Sequence, residues 1–496
     1  MDAIEGILYG FSLALTLKNL AFVFAGVLLG TLVGVLPGIG PAAAISLLLP
    51  STFHADPISS MIMLCGLYYG TMYGGSTTSI LANIPGEAAS IVTCFDGYQM
   101  ARQGRAGPAL GIAAFGSFFA GTIAVVGLMF LAPTLASVAL KFGSPEYFSL
   151  MVMSMTLVTY LSQGSILKGL MMAALGLILA AIGLDPVTST LRFTYDTLVL
   201  RDGLGIVPVV MGLFGVSEVL LNVGVTMNRE ILQSKIKNLF PDRKDWKDSS
   251  IPIVRGSLLG FILGIIPGLG TIIPTFLSYG LEKRLSKHPK KFGTGVIEGV
   301  TAPETAAHAA GTSALLPMLT LGVPGSPTAA VLLGGLMIWG LQPGPLLFVE
   351  QKEFVWGLIA SMYLGNLAGL IVVLTCVPLF AAILRIPFSV IAPIIIVICA
   401  IGGYTVNNAI FDVWMIVVFG VIGYAFKKLQ YPLAPMVLAI VLGDQAEASF
   451  RQAMIMSQGD LSILFSKGLV GGVSALALVM LFWPLISLVV ARLRGR

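Results

Sequence analysis

Small hydroxyl side chains crowd two stretches of the sequence, one between residues 73 and 93 and the other between residues 312 and 328. Hydroxyl and backbone donors can surround a carboxylate without the desolvation cost of burying a fixed cation. Both stretches therefore predict an oxyanion site, although the same hydroxyls would also serve to link neighbouring helices by hydrogen bonds. The candidates are Gly75, Ser76, Asn83 and Ser90 in the first stretch and Thr312, Ser313, Ser326 and Thr328 in the second.

Two acidic residues, Glu87 and Glu304, lie beside proline-containing blocks within otherwise apolar sequence. Carboxylates inside apolar spans are costly and are functional candidates by default. They would bind Na⁺ or relay a proton; the alternative is a carboxylate in a loop at the membrane interface. His308 follows Glu304 by four residues, a spacing at which the two can share a proton, although a buried histidine with no such role fits as well.

The sequence GTLVGVLPGIG at residues 30–40 is echoed by GFILGIIPGLG at residues 260–270, an offset of 230 (260 − 30 = 230). Residues 83–87 (NIPGE) and 322–326 (GVPGS) form a second echo, at an offset of 239 (322 − 83 = 239). Proline and glycine interrupt helices, and paired interruptions in two halves are typical of a transporter's central site. The alternative is that the glycines only allow helices to pack closely. The motif candidates are Pro37, Gly38, Gly40, Pro85, Gly86, Pro267, Gly268, Gly270, Pro324 and Gly325.

The chain lacks the sequence patterns of several enzyme classes. It contains no Gly-x-x-x-x-Gly-Lys-Ser/Thr phosphate loop, no His-Glu-x-x-His and no Gly-x-Ser-x-Gly. The four cysteines stand singly, without metal-ligand spacing. The sequence therefore predicts no enzyme, no cofactor and no bound metal, and an intramembrane enzyme with a carboxylate acid or base remains only an alternative.

The elements that would position these motifs are membrane-spanning helices. Hydrophobic residues make up 56% of the 496 positions, 10% are charged, and the mean hydropathy is +0.95. Apolar runs long enough to cross a bilayer recur along the chain and predict an all-α, polytopic membrane protein with roughly ten to twelve transmembrane helices. The net charge of +5 comes with basic residues grouped in loops, which indicates membrane topology and a lipid bilayer as partner rather than nucleic acid.

The echoes divide the chain into a repeat half at residues 1–226, a polar cytoplasmic linker at 227–254 and a second half at 255–496. Residues 51–57 carry no Lys or Arg, whereas the equivalent loop at 282–291 carries five. The next pair of equivalent loops has the opposite distribution of basic residues. Arg102 and Arg105 follow the first Pro-Gly block, whereas residues 341–345, after the second, have no basic residue. This alternation predicts two inverted repeats with broken or re-entrant helices. Basic loops flank residues 251–280 on both sides, which a single crossing does not satisfy and which favours the hypothesis of a re-entrant hairpin broken at Pro267-Gly268.

The sequence resembles the large membrane subunit of the tripartite tricarboxylate transporter family over essentially its whole length. The most specific segments are GVLPGIGP at 34–41, YGGSTTSILANIPG at 73–86, GRAGPAL at 104–110, EGVTAPE at 298–304 and LTLGVPGSPTAAVLLGGLMIWGLQPGPLLF at 319–348. One position pair departs from the family, since Ala307 and His308 stand where an asparagine pair is usual.

The resemblance implies an ion-gradient-driven permease, a symporter in a bacterial cell inner membrane, that imports citrate or a related carboxylate. It further implies a small membrane subunit and a periplasmic solute-binding protein as partners, and Na⁺ or H⁺ as the coupling ion. A passive carboxylate channel stays open as an alternative, because an inverted repeat does not exclude it.

Overall fold

The computed structural model describes residues 3–479 and 482, apart from positions 37, 54, 162–164, 186, 224–237, 385, 387, 466–467 and 469. Regular structure in this part of the chain is helical except for one small antiparallel pair, β1 (Gly183–Leu184) with β2 (Leu191–Arg192). The all-α prediction is confirmed. Pro37 and residues 227–237 of the predicted linker lie outside the described residues.

The helices of the first half follow the predicted apolar runs, with polar caps at several starts. Asp56, for example, accepts a hydrogen bond from the backbone N–H of Ser59 at 3.0 Å and precedes a proline, a combination that favours a helix start. These helices are α1 (Ala3–Ala14), α2 (Leu17–Gly34), α3 (Pro41–Leu48), α4 (Pro57–Ala82), α5 (Ile91–Arg102), α6 (Ala106–Ala139), α7 (Ser144–Leu161), α8 (Ile166–Ala180), α9 (Ile206–Val210) and α10 (Ser217–Val223). A π-helical segment, Met211–Val216, joins α9 to α10.

The second half begins inside the segment predicted as linker, where Asp242 and Asp245 form a reciprocal capping box at the start of a long helix. Its helices are α11 (Arg243–Gly264), α12 (Ile272–Leu285), α13 (Glu298–Ser313), α14 (Leu315–Leu321), α15 (Pro327–Ile338), α16 (Leu347–Glu350), α17 (Lys352–Ile383), α18 (Phe388–Asn407), α19 (Ile410–Lys428) and α20 (Leu433–Met456). A short apolar helix, Val470–Val479, follows.

Seven helical segments in the described chain are long and apolar enough to cross a membrane. Large hydrophobic side chains on them face outward, such as Val390, Ile394 and Ile401 on α18. Apolar surface of this kind fits a lipid surround, and the multi-pass membrane protein is confirmed. The predicted count of ten to twelve crossings stays a prediction, since several helices are short. The seven segments are Leu17–Gly34, Ala106–Ala139, Ile206–Val223, Lys352–Ile383, Phe388–Asn407, Ile410–Lys428 and Leu433–Met456.

Two helix pairs each touch backbone to backbone at three glycines spaced four residues apart. A Cβ atom added at Gly30 on α2 would lie 2.3 Å from the carbonyl oxygen of Leu67 on α4, too close for any side chain. The residue numbers rise together along both partners, so each pair is parallel. The first glycine seam joins Gly26, Gly30 and Gly34 on α2 to Met63, Leu67 and Thr71 on α4. The second glycine seam joins Gly256, Gly260 and Gly264 on α11 to Ala302, Ala306 and Ala310 on α13.

The helices on either side of Pro267-Gly268 run antiparallel, as the hairpin hypothesis requires. Arg255, near the middle of α11, pairs with Glu282, near the end of α12, with 3.3 Å between Nη1 and Oε1. In the first half, Lys18 at the start of α2 pairs with Asp56 just before α4. Because α2 and α4 are parallel and start side by side, the chain between them returns to the side on which α2 began.

The central helices of the two halves, α4 and α13, run in opposite directions. The Tyr69 hydroxyl lies 3.0 Å from Thr312 Oγ1, and Ser76 Oγ donates to Glu304 Oε2 at 2.5 Å, so residue numbers fall on one helix as they rise on the other. This antiparallel crossing brings the broken segments of both halves into one region of the molecule.

Candidate functional site

A cavity of about 760 Å³ lies where the broken helices of the two halves meet. Gly40 and Glu87 line it from the first half, and Thr271 and Ser326 line it from the second. Each of these four residues is the N-cap of a helix or helical turn. The cavity is therefore surrounded by helix beginnings from both halves.

Three helices of at least eight residues begin at the cavity wall: α3, α12 and α15. Gly40 and Thr271 provide no side-chain hydrogen bond to the helices that they precede, while Ser326 Oγ accepts from Ala329 N at 3.1 Å. The first backbone N–H groups of a helix have no acceptor within the helix, and its dipole places a partial positive charge at this end. These helix starts thus offer donors and positive potential to an anion.

Glu304 lies outside the cavity wall, buried with 3% of its surface exposed. Its carboxylate accepts hydrogen bonds from Ser76 Oγ on α4 and from Thr93 Oγ1 on α5. The chain between those two helices, residues 83–90, includes the cavity-lining Glu87. Glu304 of the second half therefore ties together the two ends of the first half's broken segment.

Three predicted glycines pack backbone against backbone behind the cavity. A Cβ atom at Gly86 would lie 2.4 Å from the Cα of Gly75 and 2.5 Å from the carbonyl oxygen of Gly34. A Cβ atom at Gly325 would lie 2.9 Å from the carbonyl oxygen of Ala314. These glycines let the broken segments approach α4 and the end of α13 closely enough to form the site.

Gly38 and Gly268 occupy equivalent places in the two Pro-Gly breaks. Their φ angles of +84° and +90° lie in the left-handed region that glycine adopts without strain. Gly268 also donates its N–H to the carbonyl oxygen of Gly325 at 3.0 Å, which joins the two breaks of the second half. The conformation that opens each break thus depends on glycine.

Four other predicted residues, Asn83, Ser90, Thr312 and Ser313, lie outside the cavity wall. Asn83 ends α4 in the left-handed conformation, with φ 55°, and Ser90 Oγ donates to the Glu87 carbonyl at 2.9 Å. Thr312 meets Tyr69, and Ser313 Oγ donates to Ala310 O at 3.3 Å. The hydrogen bonds of these residues lie within a helix end or join two neighbouring helices.

The predicted residues therefore divide into two groups. Lining the cavity are Gly40, Glu87, Gly268, Gly270, Pro324, Ser326 and Thr328. Outside its wall are Gly38, Gly75, Ser76, Asn83, Pro85, Gly86, Ser90, Pro267, Glu304, Thr312, Ser313 and Gly325.

His308, at the departure from the family pattern, is buried beside Tyr73, with 4.6 Å between the ring centroids. Its Nδ1 lies 3.3 Å from the carbonyl oxygen of Glu304, so the i, i+4 spacing leads to the backbone of Glu304 rather than to its carboxylate. Nε2 has no hydrogen-bond partner among the described residues. The structure gives no contact through which His308 shares a proton with the Glu304 side chain.

Sequence reasoning missed the cavity-lining residues that lie outside the broken segments. They include Phe214 and several residues between Lys427 and Leu438, at the end of α19 and the start of α20. These residues belong to no duplicated motif, so no signal in the sequence marked them. The long separation of residues 214 and 427 from the Pro-Gly blocks explains the omission.

Asp96 on α5 is fully buried and accepts hydrogen bonds from the Tyr279 hydroxyl and from the backbone N–H groups of Gly293, Gly295 and Val296, at 2.7 to 3.0 Å. It anchors the loop before α13, and with it the helix that carries Glu304. We therefore read Asp96 as a positioning residue.

Replacing Asp96 with asparagine is expected to lower stability, because an amide nitrogen would face N–H donors and each buried donor left without an acceptor costs about 1–3 kcal/mol. Thermal unfolding of the detergent-solubilised protein should show a Tm several degrees below that of the wild type. Asp202→Asn, at an exposed loop position, is the matched control. Equal Tm values for the two variants would contradict the anchoring role.

Comparison with known proteins gives one family and two relatives. Residues 20–438 match the model of the family described as "Tripartite tricarboxylate transporter TctA family". An uncharacterized 52.8 kDa protein in the TAR-I ttuC' 3'region of Agrobacterium vitis is 46% identical over 478 residues, covering 96% of this chain and 95% of the relative. An uncharacterized protein in the TAR-II ttuC' 3'region of the same organism is 39% identical over 227 residues, covering 46% of this chain and 94% of the relative. No solved structure matches significantly.

Proposed function

Because the chain belongs to the tripartite tricarboxylate transporter TctA family, we propose that it is the large permease subunit of an ion-gradient-driven secondary transporter. Its substrate is a tricarboxylate such as citrate or a related carboxylate. Its partners are a small membrane subunit and a periplasmic solute-binding protein, and its location is the bacterial cell inner membrane.

The cavity at the junction of the broken helices is the observation that carries this proposal. Helices α3, α12 and α15 begin at its wall, and the hydroxyl groups of Ser326 and Thr328 line it. Backbone N–H groups at helix starts are a common anion-binding arrangement. A carboxylate bound there would contact both halves of the chain, as an alternating-access site requires.

An inverted repeat is supported by contacts that recur at a fixed offset. Each glycine of the second seam lies 230 residues after a glycine of the first seam (260 − 30 = 230). Each residue that a second-seam glycine contacts lies 239 residues after its counterpart in the first seam (306 − 67 = 239). The contact of Tyr69 with Thr312 also has a reciprocal partner in that of Tyr73 with His308 (308 − 69 = 239; 312 − 73 = 239). Such reciprocity is what a two-fold axis between repeats would generate.

We assign the moving unit to the helices that carry the breaks, α2 to α5 and α11 to α15. The remaining long helices would form the frame against which this unit moves. Glu304 and Glu87 are the residues proposed to couple this motion to Na⁺ or H⁺, because both are intramembrane carboxylates in or next to the broken segments. Protonation or cation binding at Glu304 would change its bonds to Ser76 and Thr93.

Uptake measurements test the proposal. Labelled citrate and a panel of other carboxylates would be offered to cells that express this subunit with its two partner subunits, with and without an imposed Na⁺ or proton gradient. We expect accumulation of one acid above equilibrium only in the presence of a gradient. Equilibration without accumulation would instead indicate a channel, chemical conversion of the acid would indicate an enzyme, and no entry of any acid would overturn the carboxylate assignment.

A further inference from the structure

A single positively charged residue lies among the described residues that line the cavity. This is Lys427, in the last turn of α19. Its ammonium group pairs with Glu218 Oε2 on α10. The two side chains expose only 20% and 22% of their surface, so the pair is largely buried, and of the two it is Lys427 that lines the cavity.

The acidic partner is held in place more firmly than the lysine. Asn222 Nδ2 lies 3.2 Å from Glu218 Oε1, and the same nitrogen would lie 2.9 Å from a Cβ atom at Gly38. Glu218 is thereby fixed next to the first Pro-Gly break. Lys427 has three N–H donors on a flexible stem, and Glu218 is the one acceptor that the described chain offers them.

Positive charge reaches the cavity from the helix starts and from one side chain. The helix starts supply partial positive charges of about +0.5 each, which suit one carboxylate. A solute with a second or third carboxylate brings further negative charge that these partial charges do not balance. The ammonium group of Lys427 can supply the missing countercharge through a charge-assisted hydrogen bond.

We propose that Lys427 is a specificity-determining residue that binds a second carboxylate of the solute, while Glu218 positions it. The inference rests on the proposed function and deepens it, since it names the side chain that distinguishes solutes by their number of carboxylates. A monocarboxylate would use the helix starts alone and would gain nothing from Lys427.

The test uses three solutes on one carbon frame: propane-1,2,3-tricarboxylate, glutarate with two carboxylates, and butyrate with one. Each would compete against the labelled transported acid in cells that express the complete transporter. Lys427→Gln is expected to weaken competition by the tricarboxylate at least about tenfold, since a hydrogen bond between charged groups is lost. Competition by butyrate should change less than about twofold, because the helix starts satisfy its one carboxylate.

Three further variants complete the test. Lys428→Gln is the matched control, because Lys428 lies over the ring of Tyr424 and does not line the cavity. Lys427→Arg should keep the preference for the tricarboxylate. Glu218→Gln should strengthen tricarboxylate competition, since it removes a negative charge and leaves the ammonium group.

The outcomes separate this inference from the function on which it rests. If Lys427→Gln weakens competition by all three solutes equally, or if Glu218→Gln weakens it as much as Lys427→Gln does, the ion pair is structural and the inference is wrong. If the wild-type transporter accumulates no carboxylate at all, the proposed function itself fails.

Discussion

Replacing Gly86 with leucine is expected to reduce carboxylate uptake to less than about a tenth of the wild-type rate, because overpacking a close contact forces the backbone to shift. The leucine Cβ alone would come within 2.5 Å of the backbone at Gly75 and Gly34, so no rotamer relieves the clash. The displaced segment includes Glu87, which lines the cavity. Initial uptake rates, normalised to the amount of protein in the membrane, measure the effect.

Gly280→Leu is the matched control for this prediction. Gly280 lies on α12, and nothing stands within 4 Å of a Cβ atom added there. This variant should transport at the wild-type rate, whereas Gly325→Leu should behave like Gly86→Leu because its Cβ meets the backbone of Ala314. If Gly86→Leu transports at the wild-type rate, the broken segment that contains Gly86 takes no part in the transport mechanism.

Replacing Glu304 with glutamine is expected to abolish accumulation against a gradient while leaving exchange of solute across the membrane intact. Glutamine keeps the shape of the side chain and can still bond to the hydroxyls of Ser76 and Thr93. It cannot take up or release a proton, and it lacks the charge that attracts a cation. Accumulation ratios and homologous exchange rates in the same cells would show the two activities separating.

The control for this prediction is Glu298→Gln, the same change at the start of the same helix, which should accumulate solute normally. Accumulation by Glu304→Gln at the wild-type ratio would exclude this carboxylate from coupling. Loss of both accumulation and exchange would assign Glu304 to holding the structure rather than to coupling.

The duplicated Pro-Gly motifs allowed much of the candidate site to be predicted from sequence. Adjacent proline and glycine residues favour a helix break more strongly than either residue alone, so the repetition of these pairs located both broken segments. The sequence could not tell which residues of a motif face the solute. Gly40 and Ser326 line the cavity, whereas Gly86 and Gly325 pack behind it, because that division depends on how the helices cross.

The cavity-lining residues outside the broken segments could not be predicted at all. Lys427 lies at the end of an apolar run, where lysine commonly marks a membrane boundary, and its pairing with Glu218 spans 209 residues. Such a contact has no local pattern. The number of crossings was equally hard to derive, since α3 and α15 are apolar but have only 8 and 12 residues.

The two glycine seams also have a mechanical consequence. Each seam has a contact at every turn of the helix, and its small residues are spaced four apart. Sliding one helix past its partner by one residue would push the side chains that follow these glycines, such as Thr31 or Val35, into the opposite backbone. Each seam therefore holds its two helices in register, so that the pair behaves as one rigid unit. Any large displacement of one helix in a pair must therefore carry its partner along and bend the chain at the breaks and connecting loops.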